Sequence, residues 1–311
     1  MTPRLLVMGD NHGDTESIRA VLDDVSDASI DYVVHVGDFT NAWRTARQTD
    51  DVARGKERGV EQLRGVEPVL AEFDALAKHG LVWVYGNQDY YGELDYDLSV
   101  GTEVPDDGVV SVGDLQFTNS LERVAPNVVL VTHEEYWRLA DEFDGLAHFC
   151  GNSHRGRLKD RRLNSSFLQA REPETSRKQF GGYFLVELGE SGLTVEMQSL
   201  GGLTRIECDR HAERGVQFQP ESRGCMFCNE DGTLFREMCA SGFYGLTYGV
   251  DRDTVTDEEL VDYAEALWGQ PPDEFREEFQ SYLTELDDDR YAPLTRTEDG
   301  AIRLAERPYS Y

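Results

Sequence analysis

The sequence predicts an α/β layered domain over residues 1–202, followed by a small acidic extension over residues 203–311 that contains cysteines and two helices. Short apolar runs recur through residue 154, and each ends in a polar cluster, as in "LLVMGDNHGD" and "YVVHVGDFTN". Apolar residues at helix spacing lie between these runs, and the chain becomes strand-rich after Val128. Continuous apolar runs are typical of strands buried on both faces, and their alternation with helices indicates an α/β sheet.

Capping residues locate the helices. The first helix is predicted after Asp14, because an aspartate oxygen accepts the unpaired N–H groups of a first turn. A second is expected to begin near Pro68, since proline is tolerated in the first turn of a helix. In the extension, "TDEE" at residues 256–259 forms a capping box before one helix, and an apolar stripe from Phe275 predicts another.

Acidity dominates the composition. The net charge is −30, from 60 acidic residues against 30 Lys and Arg, and only four of the basic residues are lysine. Acidity spread along the chain with few lysines predicts a halophilic protein kept soluble in concentrated salt, with an ordinary acidic protein as the alternative. The lack of a basic footprint argues against nucleic acid as a partner, except as a substrate.

The sequence also predicts a cytoplasmic protein without a membrane partner. Its first residues, "MTPRLLVMGDNHGD", contain no signal-peptide h-region, and no apolar run is long enough to span a bilayer. Five cysteines, an odd number, indicate thiols or metal ligands in a reducing compartment rather than disulfides.

Metal-ligating side chains follow five of the predicted strands. In chain order these are Asp10 and His12, Asp38 and Asn41, Asn87 and Asp89, His133, and Asn152 and His154. In open α/β sheets, ligands collect beyond the carboxyl ends of the strands. Carboxylates and imidazoles hold divalent ions, so five such clusters at five strand ends predict a metal site.

The order of these clusters resembles the calcineurin-like metallophosphoesterase superfamily. The signature of that family runs Asp-x-His, Gly-Asp, Gly-Asn-His-Asp/Glu, a single His and Gly-His-x-His. This chain has "DNH" at 10–12, "GD" at 37–38, "GNQD" at 86–89, His133 and "GNSH" at 151–154. The resemblance spans about residues 4–200 and implies a four-layer α/β/β/α sandwich. It also implies phosphodiester or phosphomonoester hydrolysis by a metal-bound hydroxide.

The resemblance further implies two divalent metal ions, Mn, Fe or Mg. The first site would be formed by Asp10, His12, Asp38 and His154. Asp38 would bridge to a second site formed with Asn87 and His133, to which Asn152 would be a weak ligand. In this comparison Asn87, Gln88 and His133 form the catalytic set, and Asn41 and Arg155 are predicted to contact the substrate phosphoester.

Two positions depart from the family pattern. Gln88 stands where the family has a histidine that assists the leaving group, and an amide cannot titrate near neutral pH. Asn152 replaces a histidine ligand of the second metal, and its amide oxygen is a weaker ligand than imidazole for later transition metals. The alternative to a working enzyme is therefore a catalytically weak or inactive scaffold, in which the extension recruits a protein partner.

The extension contains two ligand pairs, Cys208-x-x-His211 and Cys225-x-x-Cys228. Together they could form a closed structural zinc site, in which Cys239 could take the place of His211. The alternative is a set of thiols in a turn-rich segment.

Overall fold

The structure is a computed structural model that describes residues 2–134, 143–154, 156–165, 168, 181–189, 192–220, 225, 233–247, 252–268, 273–284, 286 and 293–305. The chain divides into two compact units. One contains Met1–Glu135 and Asp144–Ser222, and the other contains Tyr136–Phe143 and Arg223–Tyr311. Among the described helices, none combines the length and apolar character that crossing a membrane requires.

A six-stranded sheet forms one half of the first unit, in the order β12-β11-β1-β2-β3-β4. Its strands are β1 (Arg4–Met8), β2 (Tyr32–His35), β3 (Leu81–Trp83), β4 (Thr102–Glu103), β11 (Gly181–Gly189) and β12 (Gly192–Gly201). Strands β1 to β4 run parallel, and the hairpin β11–β12 adds antiparallel to β1.

An eight-stranded sheet forms the other half, in the order β13-β14-β9-β10-β8-β7-β6-β5. Its strands are β5 (Val110–Val112), β6 (Leu115–Thr118), β7 (Val128–Val131), β8 (Ala147–Cys150), β9 (Gly156–Lys159), β10 (Arg162–Asn164), β13 (Leu203–Ile206) and β14 (Val216–Pro220). We predicted that the domain ends at residue 202. The structure instead continues this sheet to Pro220, because β14 pairs with β9 and β13 pairs with β14.

Two apolar cores define the layers of this unit. Side chains such as Val7, Val34 and Val82 of the first sheet pack against Val131 and Phe149 of the second. On the opposite face of the first sheet, Leu6, Met8 and Val33 share a core with helices α1 (Thr15–Val25) and α3 (Val52–Leu76). The predicted α/β class, with two facing sheets and helices, is confirmed.

Helix α1 begins as predicted. Asp14 is its N-cap, and the Asp14 Oδ1 atom accepts hydrogen bonds from the backbone N–H groups of Glu16 at 3.1 Å and Ser17 at 3.2 Å. The N-cap therefore lies two residues after His12, which fixes the end of the loop that carries the first polar cluster.

Helix α3 begins sixteen residues before the predicted start, and Pro68 lies in its interior. Two glycines upstream of Pro68 serve helix packing. A Cβ atom at Gly55 would lie 2.5 Å from Ala46 Cβ, and one at Gly59 would lie 2.7 Å from Ala42 Cβ. They admit the neighbouring helix α2 (Ala42–Thr49), which the sequence did not indicate.

The second unit contains helices α4 (Thr233–Thr247), α5 (Asp257–Trp268) and α6 (Asp273–Thr284), and a hairpin of β15 (Leu294–Arg296) and β16 (Ile302–Leu304). The predicted capping box is confirmed: Thr256 N donates to Glu259 Oε2 at 2.8 Å, and Glu259 N donates to Thr256 Oγ1 at 3.2 Å. The two predicted helices are present, and α4 is an addition to the prediction.

Candidate metal centre

The polar clusters that follow the parallel strands converge on one site. Loops after β1 and β2 in the first sheet and after β8 in the second bring four side chains together, so that one ligand atom from each lies within 4.8 Å of all the others. These residues are Asp10, His12, Asp38 and His154. The set of two carboxylates and two imidazoles is one that divalent ions prefer.

The Asp38 carboxylate lies between two groups of ligands. Its Oδ2 atom is 3.9 Å from His12 Nε2, and its Oδ1 atom is 3.3 Å from His133 Nε2. The two oxygens of one carboxylate thus point toward different histidines. This is the arrangement that a bridging ligand needs, because one anion can then offset the repulsion between two cations.

His133 and Asn87 form the second group with Asp38. The His133 Nε2 atom is 3.0 Å from Asn87 Oδ1, and its Nδ1 atom is 2.9 Å from the carbonyl oxygen of Val36. A carbonyl can only accept, so Nδ1 carries a proton and Nε2 is turned toward the site. Metal-ligating histidines usually have their second nitrogen anchored in this way.

His12 is oriented similarly and lies against His154. The His12 Nδ1 atom is 3.3 Å from the carbonyl oxygen of Thr40, while the Nε2 atoms of His12 and His154 are 2.6 Å apart. The side chain of His154 is 35% exposed, whereas those of His12, Asp10 and Asp38 are buried. The His154 side is therefore the face of the site that solvent reaches.

Burial and charge set the protonation of the two buried histidines. Burial, reinforced by the nearby His154, holds the pKa of His12 well below its ordinary value, so His12 is neutral and can bind a cation. Burial alone would also lower the pKa of His133. The Asp38 and Asp10 carboxylates outweigh that effect and raise the pKa of His133 well above its ordinary value.

The loops that carry the ligands adopt a rare backbone conformation. Positive φ angles between 47° and 70° occur at Asp10, His12, Asp38, Asn152 and His154. Residues other than glycine in this region cost about 1–3 kcal/mol each and concentrate at functional sites. The strained backbone positions therefore include all four residues of the cluster that could hold a metal.

Gln88 supplies a helix cap. Its Oε1 atom accepts from the backbone N–H of Arg44 at 3.0 Å, in the first turn of α2, where the N-cap residue Asn41 makes no side-chain cap. The backbone N–H of Gln88 donates to Asp38 Oδ1 at 2.8 Å. The residue that departs from the family pattern therefore links α2 to the Asp38 carboxylate.

Two further residues hold the loops in place: Asp89, whose place in the "GNQD" motif predicted that it orients its neighbours, and Asn11, to which the sequence assigned no role. Asp89 accepts hydrogen bonds from the backbone N–H groups of Phe39, Thr40 and Gly86 at 2.8–3.1 Å. Asn11 donates to the carbonyl oxygen of Phe39 at 3.0 Å, and its Oδ1 atom accepts from His35 Nε2 at 3.1 Å. Apart from the bond between Asp89 and Gly86, these hydrogen bonds join residues that are distant in sequence, so the sequence contained no signal for the role of Asn11.

Two of the remaining predicted residues lie in or beside the loops of the site, Asn152 and Asn41. Asn152 is beside the site through its backbone N–H, which is 3.3 Å from both carboxylate oxygens of Asp10. Asn41 Nδ2 donates to the carbonyl oxygen of His12 at 2.6 Å, and Asn41 Oδ1 is buried without a hydrogen-bond partner among the described residues. Arg155 lies outside the described residues.

The described residues include two of the four predicted zinc ligands, Cys208 and Cys225. Cys208 is half-buried in the first unit, and Cys225 is buried in the second. Cys228 and the side chain of His211 lie outside the described residues. Structural zinc therefore stays a prediction.

Comparison with known proteins identifies the family of the chain. The family model of the calcineurin-like phosphoesterases matches residues 3–183. The chain is similar to a conserved, predicted phosphoesterase from Streptococcus pneumoniae TIGR4, at 18% identity over 64% of this chain and 90% of that chain, with a TM-score of 0.36. It is also similar to an archaeal phosphodiesterase, at 14% identity over 63% of this chain and 99% of that chain, with a TM-score of 0.36.

A third similar structure is Vps29 from Entamoeba histolytica, at 15% identity over 64% of this chain and 99% of that chain, with a TM-score of 0.31. No curated protein matches the chain. The family match covers more than half of the 311 residues, and the chain belongs to the calcineurin-like phosphoesterase family.

Proposed function

We propose that this protein is a metal-dependent phosphoester hydrolase that cleaves phosphodiesters or phosphomonoesters. One observation carries the proposal: the two oxygens of the buried Asp38 carboxylate point toward different histidines, His12 and His133. Members of the family are generally hydrolytic phosphoesterases. A bridging carboxylate between two ligand sets is what a two-metal hydrolytic site requires.

The ligand sets fit two divalent ions. Asp10, His12, Asp38 and His154 would hold the first, and Asp38, Asn87 and His133 would hold the second, with Asn152 beside them. When bound, such ions neutralise phosphate charge and lower the pKa of water. The mixture of oxygen and imidazole ligands suits Mn²⁺ or Fe, and the amide oxygens also suit Mg²⁺.

The protein's own side chains restrict the substrate. The exposed His154 side leaves the site open to a phosphoester from solvent. Position 88 holds an amide, whose oxygen accepts a hydrogen bond from the backbone of Arg44. An amide does not titrate near neutral pH, so Gln88 cannot transfer the proton that a poor leaving group needs. We propose substrates whose leaving group departs easily.

The test measures metal content and hydrolysis on the same sample. Protein purified without chelators is analysed for bound metals and assayed with bis(4-nitrophenyl) phosphate in Mn²⁺, Mg²⁺ or Fe²⁺, at low and high salt. We expect bound metal and turnover that chelation abolishes. Neither metal nor turnover under any of these conditions would instead support the rival function, a metallophosphoesterase scaffold.

Replacing Asn152 with histidine should strengthen the second metal site. Its backbone lies against Asp10, and an imidazole binds transition metals more tightly than an amide does. We expect about tenfold tighter binding of the second ion, measured by competition with a metal chelator. Asn152→Ala is the control and should not bind the second ion more tightly. Equal affinity in Asn152→His and the parent would exclude Asn152 from the ligand set.

Other expectations from the sequence also belong to this proposal. They are a cytoplasmic and halophilic protein, nucleic acid only as a substrate, and a protein partner for the extension. A maximum of activity at molar salt concentration would support the halophilic assignment.

A further inference from the structure

A half-buried glutamine of α3, Gln62, contacts the loops that follow β1 and β2. Its Oε1 atom accepts a hydrogen bond at 2.9 Å from the backbone N–H group of Asn41, the N-cap residue of α2. The Gln62 side chain also lies against Gly13, which directly follows His12, since a Cβ atom at Gly13 would lie 2.5 Å from Gln62 Cδ. One side chain of α3 thus contacts both loops that carry ligands of the first metal site.

The N–H group bonded to Gln62 belongs to the same peptide unit as the carbonyl group that orients His12. The Thr40 carbonyl oxygen lies 3.3 Å from His12 Nδ1, and the nitrogen of this peptide unit is that of Asn41. The unit is trans and planar, so its C=O and N–H groups point in opposite directions and turn together. Because a carbonyl can only accept, His12 Nδ1 carries the proton and Nε2 is left to bind a cation.

Hydrogen bonds from the groups around this peptide unit hold the rest of the loop. Thr40 N donates to Asp89 Oδ1 at 2.8 Å, and Asn41 Nδ2 donates to the carbonyl oxygen of His12 at 2.6 Å. In the part of the chain that the structure describes, only Gln62 accepts from the Asn41 N–H group. Gln62 therefore controls the rotation of the peptide unit, and its bond also polarises the Thr40 carbonyl as an acceptor.

We propose that Gln62 is a positioning residue for the first metal site. It holds the peptide unit between Thr40 and Asn41 in the orientation in which the Thr40 carbonyl directs His12 Nε2 toward the ion. Hydrogen-bond partners of metal-ligating histidines fix the tautomer and the direction of the ring, and losing one weakens metal binding about 10- to 100-fold. The inference rests on the proposed function to the extent that it takes His12 to be a metal ligand.

The experiment measures metal affinity rather than turnover. The affinities of both Mn²⁺ sites of the full chain are measured by competition with a chelator, at a temperature at which circular dichroism shows every variant to be folded. Gln62→Met keeps the length and the helix propensity of the side chain but removes the acceptor. We expect about tenfold weaker binding at the first site and unchanged binding at the second, because His12 belongs to one ligand set. His12→Ala identifies which affinity belongs to the first site.

A second readout needs no metal ion. The imidazole ¹⁵N signals of the metal-free protein at pH 8 report which nitrogen of each neutral histidine carries the proton, and the signal missing in His12→Ala is that of His12. In the parent we expect the Nδ1-protonated form. In Gln62→Met the Nε2-protonated form should gain population, since Nε2 lies 3.8 Å from Asp10 Oδ1 and 3.9 Å from Asp38 Oδ2. A residue that only stabilises the fold would not change this ratio.

Two variants serve as controls. Gln62→Glu keeps an oxygen that can accept from the Asn41 N–H group, so it should keep most of the affinity of the first site and the Nδ1-protonated form of His12. Gln48→Met makes the same exchange at an exposed position of α2 and should change neither affinity. If Gln62→Met does not fold, Gln62→Ala removes the same acceptor and is used instead.

Three results would overturn the inference: an unchanged affinity of the first site in Gln62→Met, equal weakening of both sites, or a loss in Gln62→Glu as large as in Gln62→Met. If the parent binds no ion, the ratio of the His12 tautomers decides, and an unchanged ratio in Gln62→Met overturns it. If the parent binds ions but hydrolyses no ester, the proposed function fails while the role of Gln62 is still decided.

Discussion

Replacing Asp38 with asparagine is expected to remove at least one metal ion and to lower kcat/KM by about a hundredfold or more. The substitution keeps the shape of the side chain but removes the negative charge that lies between His12 and His133. Without that charge, two cations would repel each other with no anion between them, and the amide offers only one ligating oxygen. Metal analysis after dialysis, together with the steady-state rate in Mn²⁺, measures both effects.

Asp14→Asn is the matched control for that experiment. Asp14 lies two residues after His12 and caps α1, a task that asparagine performs equally well. Its metal content and rate should match those of the parent. Unchanged metal content and rate in Asp38→Asn would show that Asp38 is not a ligand, and the assignment of the centre would fail.

Replacing Gly86 with alanine is expected to disrupt the same centre by crowding it. A Cβ atom at this position would lie 2.2 Å from Asp38 Oδ1, 2.6 Å from Asp38 N and 2.8 Å from His133 Cε1. Because two of these contacts are with one buried residue, either Asp38 or the loop after β3 must move. We expect a loss of about 1–3 kcal/mol in the free energy of unfolding and a lower content of the second ion.

Gly65→Ala separates crowding from the general effect of adding a methyl group. Gly65 lies on the exposed side of α3, and a Cβ atom there would meet nothing within 4 Å. Alanine favours helix, so this variant should gain about 0.4–1 kcal/mol in the free energy of unfolding. Urea denaturation with metal analysis compares the two variants, and equal stability and metal content in both would contradict the predicted crowding at Gly86.

Much of the metal centre could be predicted, because its residues lie in short motifs that directly follow predicted strands. The parallel strands β1, β2 and β3 end on the same edge of one sheet, so the polar residues that follow them meet whatever the rest of the chain does. The spacing "DNH" then places Asp10 and His12 in one loop. Helix α1 was predictable for the same reason, because Asp14 caps it within three residues.

The features that the sequence did not predict depend on contacts between residues that are far apart in the chain. The start of α3 sixteen residues before Pro68 was not predicted, because Gly55 and Gly59 serve contacts with α2 that the sequence does not show. From the sequence, Gln88 was interpreted only as the loss of a general acid. Its hydrogen bond with the Arg44 backbone was not predicted, because it joins residues 44 positions apart.

Anomalous diffraction from crystals grown with Mn²⁺ tests the central claim most directly. The claim is that Asp38 joins two metal sites, one formed with Asp10, His12 and His154 and the other with Asn87 and His133. We expect two anomalous peaks, one on each side of the Asp38 carboxylate and about 4 Å apart or less. No peak within ligand distance of Asp38 would contradict the account.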